Sequence, residues 1–186
     1  MRINLPDAAG WSMHMLKPPT IAEVATQAGV TQPHISGIEL GRHRALIARL
    51  CDEFSDGWAM SLHSPSLKSI LPMCPDDVRV MAWVKPFASF KPGVNPAYAW
   101  EPVIVRGGRS RRGRATVRDF CEANIALKKG FRGAKPERFA FWIFEVLGAL
   151  RTDQVVDLFP GSGAIGRAWE RWSEMQRAWI LEGGAA

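Results

Sequence analysis

Residues 155–169, with the sequence VVDLFPGSGAIGRAW, constrain the fold of this chain more than any other segment. A short apolar strand is predicted to run into a turn that contains Gly161, Ser162 and Gly163, and a helix is predicted from Ala164 onward. Because glycine has no side chain, such a turn brings backbone N–H groups and a helix N-terminus close to a ligand. Few residues follow this unit, so the other strands of a nucleotide-type sheet are expected to precede it.

The composition suits one compact domain, since the 186 residues are 47% hydrophobic and include eight tryptophans. The net charge of +6 favours a polyanionic partner, most simply nucleic acid. Cys51, Cys74 and Cys121 lack metal-site spacing and predict reduced thiols, and the scattered histidines give no reason to propose a metal. No apolar stretch approaches the ~20 residues that span a bilayer, and no signal-peptide pattern is present, so we expect a cytoplasmic protein.

Hydrophobic periodicity and turn residues predict an α/β domain in which strands alternate with helices, which favours a mixed or parallel sheet. Residues 1–19 are predicted to be irregular, and Gly41 is predicted to end a helix. The predicted strands cover residues 57–62, 78–84 and 99–105 and the start of the 155–169 unit. The predicted helices cover residues 21–28, 32–40, 44–54, 66–71, 116–126, 137–150 and 164–181.

Residues 20–41, TIAEVATQAGVTQPHISGIELG, have the pattern of two short helices around a tight turn at Gly29. This segment resembles the helix-turn-helix of phage-repressor-type DNA-binding domains, and the resemblance implies that the second helix reads the major groove. An ordinary helical hairpin is the alternative. Repressor-type motifs usually act as dimers, so a homodimer is compatible with this reading. The residues expected to contact DNA from this segment are Gln32, His34, Ser36, Gly37 and Arg42.

Three further segments accompany the glycine turn in a fixed order: residues 78–87 with Trp-x-Lys, residues 98–109, and residues 133–150, where Lys135-Pro136 leads into an apolar helix. This order resembles the permuted DNA amino-methyltransferases, which modify adenine N6 or cytosine N4. The resemblance implies S-adenosylmethionine as cofactor and double-stranded DNA as partner. A glycine turn in an unrelated α/β protein is the alternative. The implied cofactor-binding residues are Lys135, Asp157, Phe159, Gly161, Ser162 and Gly163.

The implied architecture is a permuted, truncated Rossmann-like methyltransferase sheet with an N-terminal helix-turn-helix. We expect residues 1–43 to form the DNA-binding segment and residues 44–186 to form the methyltransferase-like domain. A dinucleotide fingerprint also fits Gly161, Gly163 and Gly166. However, no second strand follows to carry the acidic residue that binds ribose, which argues against a nicotinamide enzyme.

The family's catalytic motif, Asp/Asn/Ser-Pro-Pro-aromatic, is expected on a strand upstream of the 44–54 helix. The Pro-Pro sequence there lies between Lys17 and Thr20, which supply neither a hydrogen-bond acceptor of the required kind nor a ring. A second candidate is the segment 95–98, in which Asn95 would accept a hydrogen bond from the target amine and Tyr98 would stack on the base. A structural loop is the alternative for this segment.

A run of arginines without an intervening acid separates Glu101 from Asp119. The corresponding region of the family contacts target DNA, so we expect phosphate contacts and strongly salt-dependent binding. A solvated loop is the alternative. The arginines assigned to DNA are Arg106, Arg109, Arg111, Arg112 and Arg114, with Arg118 at the end of the run.

Two functions remain open from the sequence. The first is a DNA-binding protein built on a methyltransferase scaffold with a degenerate catalytic motif. The alternative is an active S-adenosylmethionine-dependent DNA amino-methyltransferase with an atypical motif. A protein-interaction role for the same surface is a more distant third.

Overall fold

One mixed sheet organises the residues that the computed structural model describes, which are 2–4, 32–87, 95–110, 115–125 and 134–181. Its six strands lie in the order β5-β3-β4-β2-β1-β6. Strands β1, β2 and β6 are mutually parallel, β4 is antiparallel to β2 and β3, and β5 is parallel to β3. The bounds are β1 Arg2–Asn4, β2 Gly57–Ser61, β3 Arg79–Val84, β4 Trp100–Gly107, β5 Phe120–Glu122 and β6 Gln154–Val156.

Four α-helices of the described residues pack around this sheet. They are α1 Gln32–Glu53, α2 Leu67–Ile70, α3 Glu137–Val146 and α4 Ala164–Leu181. Two short 3-10 turns, Ser64–Ser66 and Leu71–Met73, flank α2. None of the helices in these ranges is long and apolar enough to cross a membrane.

Helix α1 covers one face of the sheet. Its buried side chains recur at three- and four-residue spacing, which is the pattern of an amphipathic helix. They pack against β2 and β4, where Trp58 and Ile104 are fully buried. The helix contributes Leu46, Ile47 and Leu50, with Phe54 just after its end.

Helices α3 and α4 cover the opposite face. Trp169 and Trp172 of α4 stack with ring centroids 5.3 Å apart, and Phe144 of α3 meets Trp169 edge-on at 5.1 Å. Side chains on the odd-numbered positions of β3 and β4 complete this core, among them Trp83 and Val103. The alternation of strand side chains between two faces therefore divides the core into two clusters.

The mixed α/β sheet predicted from sequence is confirmed, as are the strands near residues 57–62, 78–84 and 99–105 and the final helix. The predicted helix end at Gly41 is wrong, because α1 continues through this residue. A glycine inside a helix costs only about 1 kcal/mol, and the buried second half of α1 offsets that cost. A Cβ at Gly41 would meet nothing within 4 Å.

The predicted helix over residues 116–126 is also wrong, since this region contains the strand β5. Cys121 lies in register with Trp83 and is buried, while its neighbours Phe120 and Glu122 are exposed. The indole N–H of Trp83 donates to the Ala123 carbonyl at 2.8 Å, which fixes the segment beside β3. Tertiary pairing thus overrode the local helical pattern.

The predicted irregular N-terminus is wrong at β1, which pairs with both β2 and β6. The predicted helix over residues 137–150 ends earlier, at Val146, because Gly148 adopts a φ of 63° just beyond it. The helix over 21–28 and the turn at Gly29 lie outside the described residues, so the helix-turn-helix stays a prediction. Helix α1 crosses the predicted domain boundary between residues 43 and 44.

Candidate functional site at the carboxyl edge of the sheet

The sheet topology brings several polar and aromatic residues to one edge. Strands β1, β2, β3 and β6 all end at this edge, and the antiparallel strand β4 begins there. Ligands of open α/β sheets bind outside the carboxyl ends of the strands. We therefore call this side the carboxyl edge. It holds the end of β1 at Asn4, Asp157 just after β6, and the start of β4 at Trp100.

The glycine turn directly follows β6 at the carboxyl edge. The Asp157 carboxylate accepts a hydrogen bond from the Phe159 backbone N–H at 3.0 Å, which starts the turn. Gly161 and Gly163 have φ angles of 44° and 69°, a region that residues with a Cβ rarely adopt. The turn then ends at Ala164, where α4 begins.

The side chain of Arg167, in α4, holds the turn that precedes the helix. Its guanidinium donates to the Ser162 carbonyl at 2.9 Å. A Cβ at Gly163 would lie 2.9 Å from the same guanidinium, whereas one at Gly166 would meet nothing within 4 Å. The third glycine of a dinucleotide fingerprint serves close helix–strand packing. Gly166 has no such packing role here, which strengthens the argument against a nicotinamide site.

Phe159 is half-buried and packs against the core beneath α1. The structure therefore brings together the predicted cofactor residues Asp157, Phe159, Gly161, Ser162 and Gly163. Their role in binding a cofactor stays a prediction.

Lys135, the remaining predicted cofactor residue, lies elsewhere on the carboxyl edge. Its buried ammonium donates to Ser61 Oγ at 2.9 Å and to Glu101 Oε2 at 2.7 Å. Ser61 ends β2, two strand positions from β6, so strand spacing separates these strands by about 10 Å. The assignment of Lys135 to a cofactor stays a prediction, and the observed contacts tie it to β2 and β4.

Lys85, Glu101 and Lys135 form an ionic cluster that we call the Lys–Glu–Lys cluster. Lys85 Nζ lies 3.0 Å from Glu101 Oε1, so two ammonium groups share one carboxylate. Lys135 Nζ also lies 4.5 Å from the centre of the Trp83 ring, within cation–π range. Burial opposes ionisation of Glu101, but the two lysines outweigh it and hold the pKa of this carboxyl below its ordinary value. Sequence reasoning missed Glu101 because nothing local links it to Lys135.

Tyr98 reaches the carboxyl edge just before β4. Its ring centroid lies 4.4 Å from that of His63, which follows β2. Asn95 and Tyr98 are both exposed. Strand β4 lies three positions from β6, about 14 Å by strand spacing, so Tyr98 lies at the same edge as the glycine turn but well apart from it. The catalytic role predicted for Asn95 and Tyr98 stays a prediction.

Asn4 is a residue that sequence reasoning did not select. It ends β1 in register with Val156 of β6, so its backbone adjoins the strand that leads into the glycine turn. The sequence from this position reads Asn4-Leu5-Pro6-Asp7, which keeps the amide and the second proline of the expected motif. The signal was missed because a three-residue strand at the N-terminus has no periodicity to reveal it.

Two arginines of the predicted DNA-contacting run have acidic partners in the described residues. Arg106 Nε lies 2.8 Å from Asp77, and Arg109 Nη2 lies 2.7 Å from the buried Asp153. Burial disfavours the charged form of Asp153, but Arg109 and the Leu150 N–H hold its pKa below the ordinary value. The structure thus gives both arginines internal ion pairs, and their contact with DNA stays a prediction. Arg111, Arg112 and Arg114 lie outside the described residues.

The predicted DNA-reading positions Gln32, His34, Ser36 and Gly37 belong to the first turns of α1, and Arg42 is exposed farther along it. This helical placement agrees with the predicted second helix, although its contact with DNA is untested. Within the described ranges, no group of three or more His, Cys, Asp or Glu residues could hold a metal ion.

Comparison with solved structures shows the fold. The crystal structure of M1.HpyAVI in complex with SAM matches 92% of this chain and 78% of its own, with 12% identity and a TM-score of 0.51. A second crystal structure, of M1.HpyAVI, covers 92% and 76% with 13% identity and a TM-score of 0.46. Neither a protein-family model nor a curated protein matches the sequence. The chain therefore shares the fold of M1.HpyAVI, at an identity that carries no further conclusion.

Proposed function

We propose that this chain binds S-adenosylmethionine at the carboxyl edge and binds double-stranded DNA, on a DNA amino-methyltransferase scaffold whose catalytic motif is degenerate. One observation carries the proposal. The glycine turn follows β6 at the carboxyl edge, directly beside the end of β1.

The cofactor part of the proposal is supported by the turn itself. Gly161 and Gly163 leave the backbone uncovered, and the N-terminus of the 18-residue helix α4 follows. Phe159 offers an apolar surface, and Asp157 holds the turn. S-adenosylmethionine, which is present in the M1.HpyAVI complex, is the cofactor that we assign to this turn. Its methionine part would lie against the exposed backbone of Gly161 and Gly163.

The degenerate motif is argued from the segment after β1. The family resemblance implies that Asp/Asn/Ser-Pro-Pro-aromatic lies on the strand upstream of the helix that is α1 here, and among the described residues the strand upstream of α1 is β1. In Asn4-Leu5-Pro6-Asp7, leucine replaces the first proline and aspartate replaces the ring. A stacking partner for an extruded base is therefore missing from the motif itself.

The DNA part of the proposal rests on charge and on the α1 segment. The chain carries a net charge of +6. Such a charge favours binding to the phosphate backbone of nucleic acid. Arg42 is exposed on α1, after the positions that resemble a recognition helix. A homodimer would present two such helices, and sedimentation at several concentrations would test it.

A second candidate function is active methyl transfer, and the position of Asn4 favours it. Asn4 ends β1 in backbone register with β6, and asparagine is one of the residue types that the expected motif uses to accept a hydrogen bond from an exocyclic amine. Tyr98, exposed at the same edge, would then supply the ring that the motif lacks.

Two measurements on the full chain separate these functions. Isothermal titration with S-adenosylmethionine tests the cofactor site, and absence of binding would contradict both candidates. Transfer of a labelled methyl group to mixed-sequence duplex DNA then tests the chemistry. The first proposal expects cofactor and DNA binding without turnover, while sustained turnover that Asn4→Ala abolishes would establish the second.

A further inference from the structure

Part of one sheet face carries exposed apolar and aromatic side chains. Val80, Trp100 and Phe120 are 41%, 42% and 37% exposed, although all three lie on strands. Trp100 is in register with Val84, and Phe120 with Ala82. Because paired residues share a face and side chains alternate along a strand, these three side chains stand on one face. We call the surface of Val80, Trp100 and Phe120 the open sheet face.

The open sheet face continues the face that α1 covers. On β4, the even-numbered residue Ile104 is fully buried beneath α1, whereas Trp100 on the same face is exposed. The helix thus packs over β2 and the adjacent part of β4, while Val80 of β3 and Phe120 of β5 stay exposed on the same face. Large apolar side chains grouped on an exposed surface indicate a binding surface.

The rings of Trp100 and Phe120 are far enough apart for each to stack on a different planar group of a ligand. Trp100 and Phe120 lie two strands and two residues apart, which corresponds to about 12 Å. Flat rings on an exposed sheet provide platforms for nucleobases, and stacking on them tolerates any sequence.

Cationic groups accompany the rings. The guanidinium carbon of Arg118 lies 5.7 Å from the centre of the Phe120 ring. In the sequence, the connection between β4 and β5 also carries arginines at 111, 112 and 114, and Asp119 is its one acid. Arg109 of the same connection is already paired with Asp153. Glu122, on the edge strand β5, lies on the same face as Trp100 and Phe120. This balance of charge favours a polyanion over an apolar protein partner.

We propose that the open sheet face binds a single strand of DNA by stacking of its bases on Trp100 and Phe120. The inference deepens the proposed function and rests on its premise that DNA is the partner. An intact duplex keeps its bases stacked on each other, so rings at this spacing fit an unpaired strand. The open sheet face adjoins the carboxyl edge, because Trp100 follows Tyr98 of that edge by only two residues.

Fluorescence anisotropy of a labelled oligothymidine with the full chain tests the proposal. We expect Trp100→Ala and Phe120→Ala each to weaken binding about tenfold, the usual range for loss of one stacked base. Trp100→Phe keeps a ring and is expected to retain most of the affinity. Trp179→Ala is the matched control, since Trp179 is 49% exposed on α4, which packs against the opposite face.

The outcomes distinguish this inference from the proposed function. Unchanged oligothymidine affinity in both alanine variants would overturn the inference, as would wild-type binding to duplex DNA alone. A change in sedimenting mass in Trp100→Ala, without a change in DNA affinity, would also overturn it and assign the surface to a second copy of the chain. Wild-type protein that binds neither DNA form would overturn the proposed function as well.

Discussion

The Nζ atom of Lys135 lies 2.7 Å from Oε2 of Glu101, and this contact joins the segment before α3 to the start of β4. The same carboxylate holds Lys85 from the end of β3. Three chain segments that are distant in sequence therefore meet at one partly buried carboxylate on the carboxyl edge. Buried charges are tolerated when they are paired and hydrogen-bonded, so Glu101 is the residue on which this arrangement depends.

Glu101→Gln should lower the free energy of unfolding by about 3 kcal/mol, because the two buried lysine ammonium groups would lose the negative charge that balances them. Urea unfolding monitored by tryptophan fluorescence measures the effect. Glu170→Gln is the control, since Glu170 is exposed on α4 and is expected to change stability little. Equal stability of the two variants would contradict this role of Glu101.

The contribution of Glu101 should depend on pH. Its pKa is lowered in the folded protein from an ordinary value of 4.5, so its stabilisation is fully present above that pH. The stabilisation is lost as the pH falls from there through the lowered folded pKa. We expect the difference in free energy of unfolding between wild type and Glu101→Gln to narrow below pH 4.5, as measured by urea unfolding at a series of pH values. If the stability difference between the two proteins stays constant down to acid pH, the ionisation of Glu101 does not contribute to stability.

Arg109 and Asp153 should be coupled in stability. The guanidinium also donates to the Gly148 carbonyl at 3.3 Å, so Arg109 ties the end of β4 to the turn between α3 and β6. A double-mutant cycle with Arg109→Ala and Asp153→Ala is expected to give a coupling of about 1–2 kcal/mol, within the range for contacting residues. Additive effects of the two substitutions would show that the contact contributes nothing. If Arg109→Ala loses DNA affinity while Asp153→Ala keeps it, the arginine also contacts DNA.

Gly163→Ala should abolish cofactor binding, whereas Gly166→Ala should preserve it. Alanine at 163 would be strained at a φ of 69° and would place its Cβ 2.9 Å from Arg167. At 166 a Cβ has open space, and alanine in the helix interior is expected to add up to about 1 kcal/mol of stability. Titration calorimetry with S-adenosylmethionine and thermal unfolding of both variants check these outcomes. Equal loss of binding in the two variants would contradict the proposed turn geometry.

The salt dependence of DNA binding should fall when Arg111, Arg112 and Arg114 are replaced by glutamine. Each phosphate contact contributes about 0.9 to the slope of log affinity against log salt. The triple variant is therefore expected to lose about 2 to 3 from the slope. Arg151→Gln with Arg177→Gln is the control, since both arginines are exposed outside this run. An unchanged slope in the triple variant would support the solvated-loop alternative.

The elements predicted correctly are those in which local pattern and tertiary environment agree. The strand near residues 57–62 and the helix α4 belong to this group, as does the glycine turn between β6 and α4. At Gly41 and at β5 the local pattern and the environment disagreed, and packing determined the outcome. A short strand such as β5 has little intrinsic preference, so pairing with β3 decides its structure.

The residues of the candidate site also divide into those that a local sequence pattern identifies and those that only the tertiary structure brings together. The residues of the turn at 157–163 that are predicted to bind a cofactor are contiguous, so a sequence motif could select them. Asn4 and Glu101 could not be selected in this way, because their neighbours at the carboxyl edge come from distant parts of the chain. Asn4 gains its position from pairing with β6, more than 150 residues later.

The sequence by itself determined the glycine turn, the α/β class and the positive charge, because these depend on local backbone freedom, periodicity and composition. Only the tertiary structure decided which strand adjoins the turn, that Lys135 pairs with Glu101, and that the exposed side chains of Trp100 and Phe120 share one face. These relationships depend on strand order and register, which set distances between residues that are far apart in the chain.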